Sequence, residues 1–492
     1  MTAAGFAMRR EPQRLTPNPS RVITRMFVPG QAEFDHHDSR TTVVLARVLA
    51  LDHHESQAAL DDVLARFDGR HRDLLGAFRR HAAEVVDRLE PGYELTDARR
   101  LLLGAAFTSE YAIEGAALCN PSMVAHPEQA GVPDGCLRFV MSVRAIGEGH
   151  RSSIGFRTGM VDASGQATFD AMPVFATAGN TGPVTLEAVT FRSELHRLDS
   201  DGENADYVLN ALGRRFTAAE LDERLDKLHA NLTTRRHAAR TIDIIRSIAE
   251  RFYGTSFPET TPLTERVLWP SMGAERHGLE DARFVRFTHD DGSVANYATY
   301  TAYDGVDITQ QLLETADFRT FTSSPIVGDA AANKGLALFP RRIRGRFAAL
   351  SRSDRETNTV AFSDNPRQWS SSSPCQVPSR AWEVLQLGNC GSPIETDAGW
   401  LVLTHGVGPM RTYSIGAILL DIDDPTIVLG QLQQPLLALN RDEQDGYVPN
   451  VVYSCGALVH ADTLVLPYGI GDAAIGIASV PMSELLAALC DW

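Results

Sequence analysis

Chemistry-bearing side chains are densest at Glu275-Arg276-His277-Gly278-Leu279-Glu280-Asp281-Ala282-Arg283, where carboxylates and bases crowd nine residues ahead of the strand-like Phe284-Val285-Arg286-Phe287. On a regular strand Asp281 and Arg283 would share one face and Glu280 would lie on the other. A carboxylic acid beside an arginine is a candidate general acid or a binder of sugar hydroxyls. Spacing alone does not separate that reading from a salt-bridged turn. Downstream, Asn333-Lys334, Leu350-Ser351-Arg352 and Leu403-Thr404-His405-Gly406 each end an apolar stretch with a cation or a histidine. Cations at the ends of several strands can converge on one anion. They are equally consistent with three unrelated surface charges. The pairs His36-His37 and His53-His54 point in different directions on any regular element, so they read as solvated histidines rather than metal ligands. GxxxxGK[ST], HExxH and GxSxG are all missing.

The elements that would hold these residues follow from periodicity. Residues 1–35 read as an extended arm, with a strand at Arg21–Gly30 ended by Pro29-Gly30. From 36 to 112 the pattern is helical: Leu45, Val48 and Leu49, then Leu60, Val63, Leu64 and Phe67, then Leu74, Leu75, Phe78, Ala82, Val85 and Leu89 recur at steps of three and four. Pro91-Gly92 breaks the run, and a further helix is expected over 95–117. Short strands follow at Leu137–Val143 and Ser153–Val161. A helical insertion interrupts at 217–252, opened by the capping-box pair Thr217 and Glu220, with Leu221, Leu225, Leu228 and Leu232 as one stripe. That stripe would pack on the body of the protein. From 254 the chain reads as all-β to its end, with strands at Phe284–Thr288, Ala295–Tyr303, Arg346–Ser351, Trp400–His405, Ser414–Asp421 and Thr463–Tyr468. Asp291-Gly292, Asp304-Gly305, Arg344-Gly345 and Asp397-Ala398-Gly399 are the turn signals. A sandwich, a barrel or a propeller would fit.

Composition narrows the class. The 492 residues are 43% hydrophobic and 22% charged, as in soluble globular proteins. The 46 Lys and Arg against 62 Asp and Glu leave a net charge of −16, which opposes nucleic-acid binding. Six scattered cysteines without a CxxC pair argue against a disulfide framework or zinc knuckle. No long apolar run and no secretory h-region is present, so a soluble cytoplasmic protein without a membrane partner is expected.

A set of motifs in order carries a family resemblance. They are Asn120-Pro-Ser-Met-Val124, Val143-Arg-Ala145, Gly278–Arg283, Tyr300–Gly305, Asn333-Lys334, Leu338–Ile343, Leu350-Ser-Arg352, Gly391–Ile394, Gly399–Val407, Leu419–Pro425, Gly446–Val452, Cys455-Gly456 and Tyr468–Asp472. The chain thereby resembles glycoside hydrolase family 130, the mannoside phosphorylases and related β-mannosidases, over about 113–492 apart from 217–252. The resemblance implies a five-bladed β-propeller catalytic domain at 113–492. It implies that Asp281 is the single essential acid, protonating the glycosidic oxygen through the mannose 3-hydroxyl. Phosphate would then attack C1 from the opposite face, releasing α-mannose 1-phosphate.

The family's phosphate contacts are two Arg, a Lys and a His, and they map to Lys334, Arg352, Gln386 and His405. A lysine thus replaces a bidentate arginine and an amide replaces a lysine, so phosphate should be held less rigidly. The sugar site maps to Asn120, Ser122, Arg144, Arg283 and Asp472. No metal or organic cofactor is implied, with inorganic phosphate as co-substrate, a mannose-containing oligosaccharide as partner, and a homo-oligomer expected. One rival is an inverting β-mannosidase, which needs a base carboxylate. Glu383 and Glu395 are its candidates. The other is a weakly catalytic sugar-binding or scaffold propeller that uses the helices for assembly.

Overall fold

The computed structural model describes residues 8–28, 39–86, 95–231 and 235–490. They fall into two compact units, one of 1–17, 116–172 and 179–492, the other of 18–115 and 173–178.

The larger unit is mostly β. Ala117–Ala125, Leu137–Ile146 and Ser152–Val161 form a first antiparallel meander. Gly278–Thr288, Val294–Tyr303, Ile308–Thr315 and Thr320–Pro325 form a second. The two meet through a parallel bridge between Gly278 and Ser152. A third meander runs over Ala337–Leu338, Phe347–Ser351, Asn358–Ser363 and Ser372–Gln376. A fourth joins Gln386–Asn389, Gly399–Val407, Tyr413–Leu420 and Val428–Gln431. The last holds Val452–Tyr453, Thr463–Ile470 and Ala474–Pro481, and the N-terminal strand Arg9–Leu15 adds to its outer edge by pairing with Ala474–Pro481. Among the described residues the first strand is thus bound to the last.

Every residue of Gly399–Val407 is buried. Burial on both faces explains the continuous apolar runs and the loose alternation in the sequence. All six cysteines are free thiols.

Helices depart from expectation in three places. Among the described residues the expected insertion at 217–252 holds Ala218–His229 and Ala238–Ala249, but Ala188–Arg197 and Glu203–Leu209 precede it, so helix begins at Ala188 rather than 217. The two that precede it are only 10 and 7 residues long, too short to show a stripe. The Thr217–Glu220 capping box is present, and Leu221, Leu225 and Leu228 pack against Ile242, Ile245 and Phe191. Leu232 lies outside the described residues. The C-terminus is not all-β: Met482–Cys490 is a helix whose Met482, Leu485 and Leu489 are buried. In the smaller unit, the helix expected over 95–117 stops at Ala106, and Thr108–Ala112 instead pairs antiparallel with Val22–Met26.

Among the described residues the other helices of the smaller unit are Ser39–Ala50, His53–Phe67 and Leu74–Val86. Leu45, Val85, Leu103 and Phe107 form a core there, and the buried Arg21 guanidinium pairs with Glu114. His53 and His54 are exposed. His36, His37, Leu89 and the Pro29-Gly30 and Pro91-Gly92 turns lie outside the described residues. Among the described residues no helix is long and apolar enough to cross a membrane.

Gly278 opens the strand that carries Asp281. Its φ is +140°, and a Cβ there would meet Ser152 Oγ at 2.2 Å and Ser152 N at 2.7 Å. Gly278→Ala is therefore expected to cost at least about 2 kcal/mol and lower the melting temperature by several degrees. An unchanged melting curve would show that the strand shifts freely.

Candidate active site

A cavity of about 280 Å³ in the larger unit gathers Asn120, Arg144, Asp281, Arg283, Lys334, Arg352, Gln386, His405 and Asp472. These are the expected site residues apart from Ser122. Ser122 is fully buried and its Oγ accepts the Phe284 N–H at 3.0 Å, so it braces the acid-bearing strand instead of facing a ligand.

Backbone irregularity aims the acids. The strand Gly278–Thr288 slips register against Val294–Tyr303 between Glu280 and Arg283, a β-bulge with one extra residue. Asp281 sits in that bulge with φ +56°. The bulge overturns the expectation that Glu280 and Asp281 face opposite ways, because one guanidinium reaches both. Arg144 Nη2 donates to Glu280 Oε1 at 2.5 Å, while its Nη1 lies 3.7 Å from Asp281 Oδ1. Asn120, at a matching bulge in Ala117–Ala125 with φ +47°, donates from Nδ2 to Asp281 Oδ1. Arg283 donates to the Asp281 carbonyl and to the Tyr453 hydroxyl, each at 2.9 Å. Burial alone would raise the Asp281 pKa. The charges of Lys334, Arg144 and Arg283 and the Asn120 hydrogen bond outweigh it and bring the carboxyl down to about 2.

The cation side is braced by short polar links. Lys334 Nζ donates to Glu280 Oε2 at 2.6 Å. Its loop is held by Asn333, which bonds the Ser353 carbonyl and accepts from Arg355 Nε at 2.8 Å. Arg352 Nη1 lies 2.9 Å from His405 Nε2, and His405 Nδ1 lies 3.1 Å from the Asn389 carbonyl. A carbonyl only accepts, so Nδ1 carries the proton and Nε2 receives the Arg352 donor. Burial first, then the Arg352 charge, pushes His405 well below its ordinary pKa, so it is neutral. Gly388 makes room for this pair: a Cβ there would lie 2.5 Å from His405 Cε1 and 2.7 Å from Arg352 Cδ. Gln386 lines the cavity as expected.

Glu383 and Glu395 do not line it. Glu383 is fully buried and accepts the Ser379 and Arg380 amides at 2.9 and 3.1 Å, and Glu395 pairs with Arg341 at 2.6 Å. Residues to which the sequence gave no role are Asn389, Arg411, Tyr413 and Tyr453, which line the cavity, and Glu280, which clamps two of its cations. Glu280 stood in the motif beside Asp281, and Tyr453 directly follows the Gly446–Val452 segment. Among the described residues no cluster suited to a metal is found.

A largely β protein with a buried carboxylate and several cationic side chains in one cavity has the parts of an enzyme site that could take an anion. A family model described as beta-1,4-mannooligosaccharide phosphorylase matches residues 247–491. A 1,2-beta-oligomannan phosphorylase of Thermoanaerobacter sp. (strain X514) is 34% identical over 216 residues, 43% of this chain and 71% of that protein. A beta-1,2-mannobiose phosphorylase of Listeria innocua is 30% identical over 44% of this chain and 62% of its own length. The solved structure of beta-1,2-mannobiose phosphorylase from Listeria innocua with beta-1,2-mannobiose is 20% identical, covers 77% of this chain and 93% of its own, and has a TM-score of 0.44. The chain belongs to glycoside hydrolase family 130. Asn120, Ser122 and Arg144 precede the residues that the family model matches.

Asp472, φ +48°, caps the cavity between Thr463–Ile470 and Ala474–Pro481. Burial lifts its carboxyl from 3.8 to about 6; Arg144 opposes the rise and the Asp281 charge adds to it. The folded chain therefore keeps this proton between about pH 4 and 6, where the unfolded chain has lost it. The group favours folding as pH falls through 6 and costs stability above it. Asp472→Asn removes that cost and should stabilise the protein by on the order of 1–3 kcal/mol at about pH 7.5. The gain should shrink toward pH 4. Melting curves against pH check this, and a variant less stable at every pH would refute the assignment.

Proposed function

We propose that the chain catalyses inverting phosphorolysis of a β-mannoside, giving α-mannose 1-phosphate and a shortened acceptor sugar. The observation that carries this is the convergence of Asp281 with Lys334 and Arg352 in one cavity from which both expected base carboxylates are absent. Phosphate is already a charged nucleophile and needs cations instead of a base. Lys334 and Arg352 supply two formal charges. Neutral His405 contributes none and orients Arg352 instead.

In this reading Asp281 is a carboxylate until the ternary complex forms. Phosphate brings negative charge into the field of Lys334, Arg144 and Arg283, which raises Asp281 toward protonation. The acid then protonates the leaving oxygen through the sugar 3-hydroxyl while a phosphate oxygen bonds C1. Asp281 takes that proton from solvent as the complex forms and ends the step as a carboxylate again; hydrogen phosphate loses its proton to solvent as the ester forms, so one proton enters and one leaves in each turnover. Asn120, Arg144, Arg283 and Asp472 would hold the sugar. We take the five meanders as the blades of a five-bladed propeller, joined by Arg9–Leu15 on Ala474–Pro481, with the cavity on its axis.

A second reading is inverting hydrolysis, favoured by one observation: Asp472, with a carboxyl near 6, is the other carboxylate lining the cavity among the described residues. Cleavage of β-mannosides with and without inorganic phosphate decides. Release of mannose 1-phosphate only with phosphate supports the proposal; free mannose at equal rates in phosphate-free buffer overturns it.

Asp281→Asn should lower kcat by at least about 100-fold. Near-normal turnover of an unactivated substrate would remove Asp281 from the chemistry. Gln386→Lys should lower the KM for phosphate, and Arg352→Ala should raise it or abolish turnover. Steady-state kinetics in varied phosphate measure both, and unchanged phosphate KM values would place the anion elsewhere.

A further inference from the structure

We infer that Glu280 is a positioning residue that acts as the resident counter-anion of the phosphate cradle, so that phosphate and Glu280 compete for Lys334. The inference rests on the phosphorolytic reading above. Both oxygens of this carboxylate are committed, Oε2 to Lys334 at 2.6 Å and Oε1 to Arg144 at 2.5 Å. The Glu280 side chain is 9% exposed and that of Lys334 37%. The carboxylate is therefore the fixed member of the pair and the ammonium the movable one.

The other cradle groups cannot stand in for Lys334. Gln386 is uncharged, and His405 spends Nε2 on Arg352. Of the two formal charges mapped to phosphate, one is already neutralised. A lysine suits this exchange because its ammonium is a compact charge with three donors on a flexible stem, able to turn from carboxylate to phosphate or to share both. An arginine fork would be locked in one plane.

The exchange also reaches the acid. Glu280 holds Arg144, and Arg144 Nη1 lies 3.7 Å from Asp281. When Lys334 turns to phosphate, Glu280 is left with Arg144 alone and draws it more strongly. Arg144 and Lys334 then both do less to hold Asp281 as a carboxylate. Arrival of the nucleophile is thereby linked to protonation of the acid.

Glu280→Gln keeps the shape and removes the competing charge. Calorimetry with inorganic phosphate should give a Kd lower by about three- to tenfold than for the wild type. At the same time kcat should fall by at least about tenfold, because Arg144 loses its anchor. A merely structural role would weaken binding and turnover together, so the opposed shifts are the signature. In a Lys334→Ala background the affinity gain should vanish. A folded Glu280→Gln chain with unchanged or weaker phosphate binding overturns the inference.

A second measurement needs no substitution. The chain has two lysines, Lys227 and Lys334, and Lys227 pairs with Glu223 on the helix Ala218–His229. In wild-type protein labelled at the lysine side chains, phosphate should shift the Lys334 resonance and leave Lys227 in place. A Lys334 resonance that does not move while calorimetry records phosphate binding overturns the competition alone. Absence of phosphate binding to the wild type, with phosphate-independent cleavage, overturns the phosphorolytic reading and the inference with it.

Discussion

Two adjacent carboxylates, Glu280 and Asp281, are buried side by side, and the rest of the site follows from making that tolerable. Buried like charges are costly unless cations and donors meet them. Arg144 answers both with one guanidinium, Lys334 takes the second oxygen of Glu280, and Asn120 donates to Asp281. Those partners come from three separate stretches of chain, Ala117–Ala125, Leu137–Ile146 and the loop before Ala337–Leu338. The charge pair is therefore also a tie between meanders that share few strand hydrogen bonds.

Regular strands could not deliver this arrangement. Alternation sends neighbours to opposite faces, so two adjacent acids can meet one cation only where the pleat is broken. The chain breaks it repeatedly: Asn120, Asp281, Asn333 and Asp472 all have positive φ. These are the residue types that enter the left-handed region at least cost, since their short polar side chains bond locally. Strain of this kind persists where surrounding structure holds it. Here the holding is visible in the Ser122 hydroxyl on the Phe284 amide and in Asn333 bonded on both sides.

Much of the β architecture was legible because turn pairs such as Asp291-Gly292 bracket runs of β-branched and aromatic residues. The strands Ala295–Tyr303 and Thr463–Tyr468 were placed within one or two residues of Val294–Tyr303 and Thr463–Ile470. The candidate residues came from ordered motifs, and the fold gathers Asp281, Lys334, Arg352 and His405 in one cavity. What periodicity could not see were features without a period. The helix Glu203–Leu209 is too short for a stripe, and Thr108–Ala112 continues a helical texture until its pairing with Val22–Met26 decides otherwise. The bulge at Asp281 is likewise silent, because one extra residue leaves no compositional mark. Ser122 was misplaced for the same reason: a serine that caps a backbone amide and one that faces a sugar look alike in sequence.

The charge state of the cavity is where motif and physics diverge most. A histidine in a cation cluster reads as a further positive donor, yet a buried imidazole next to an arginine gives up its proton before the arginine does. His405 is thus a lone pair aimed at Arg352, and the Asn389 carbonyl fixes which nitrogen holds the hydrogen. The positive potential that an anion would meet comes from arginines the sequence had placed with the sugar as much as from the mapped phosphate contacts. Arg144, Arg283 and Arg411 line the same cavity as Lys334 and Arg352. In a cavity of about 280 Å³ the residues mapped to sugar and those mapped to phosphate share one electrostatic field. The same cations that hold Asp281 ionised in the free protein are those that an incoming anion would have to screen, so in the proposed phosphorolysis anion binding and protonation of Asp281 would be two consequences of a single charge balance.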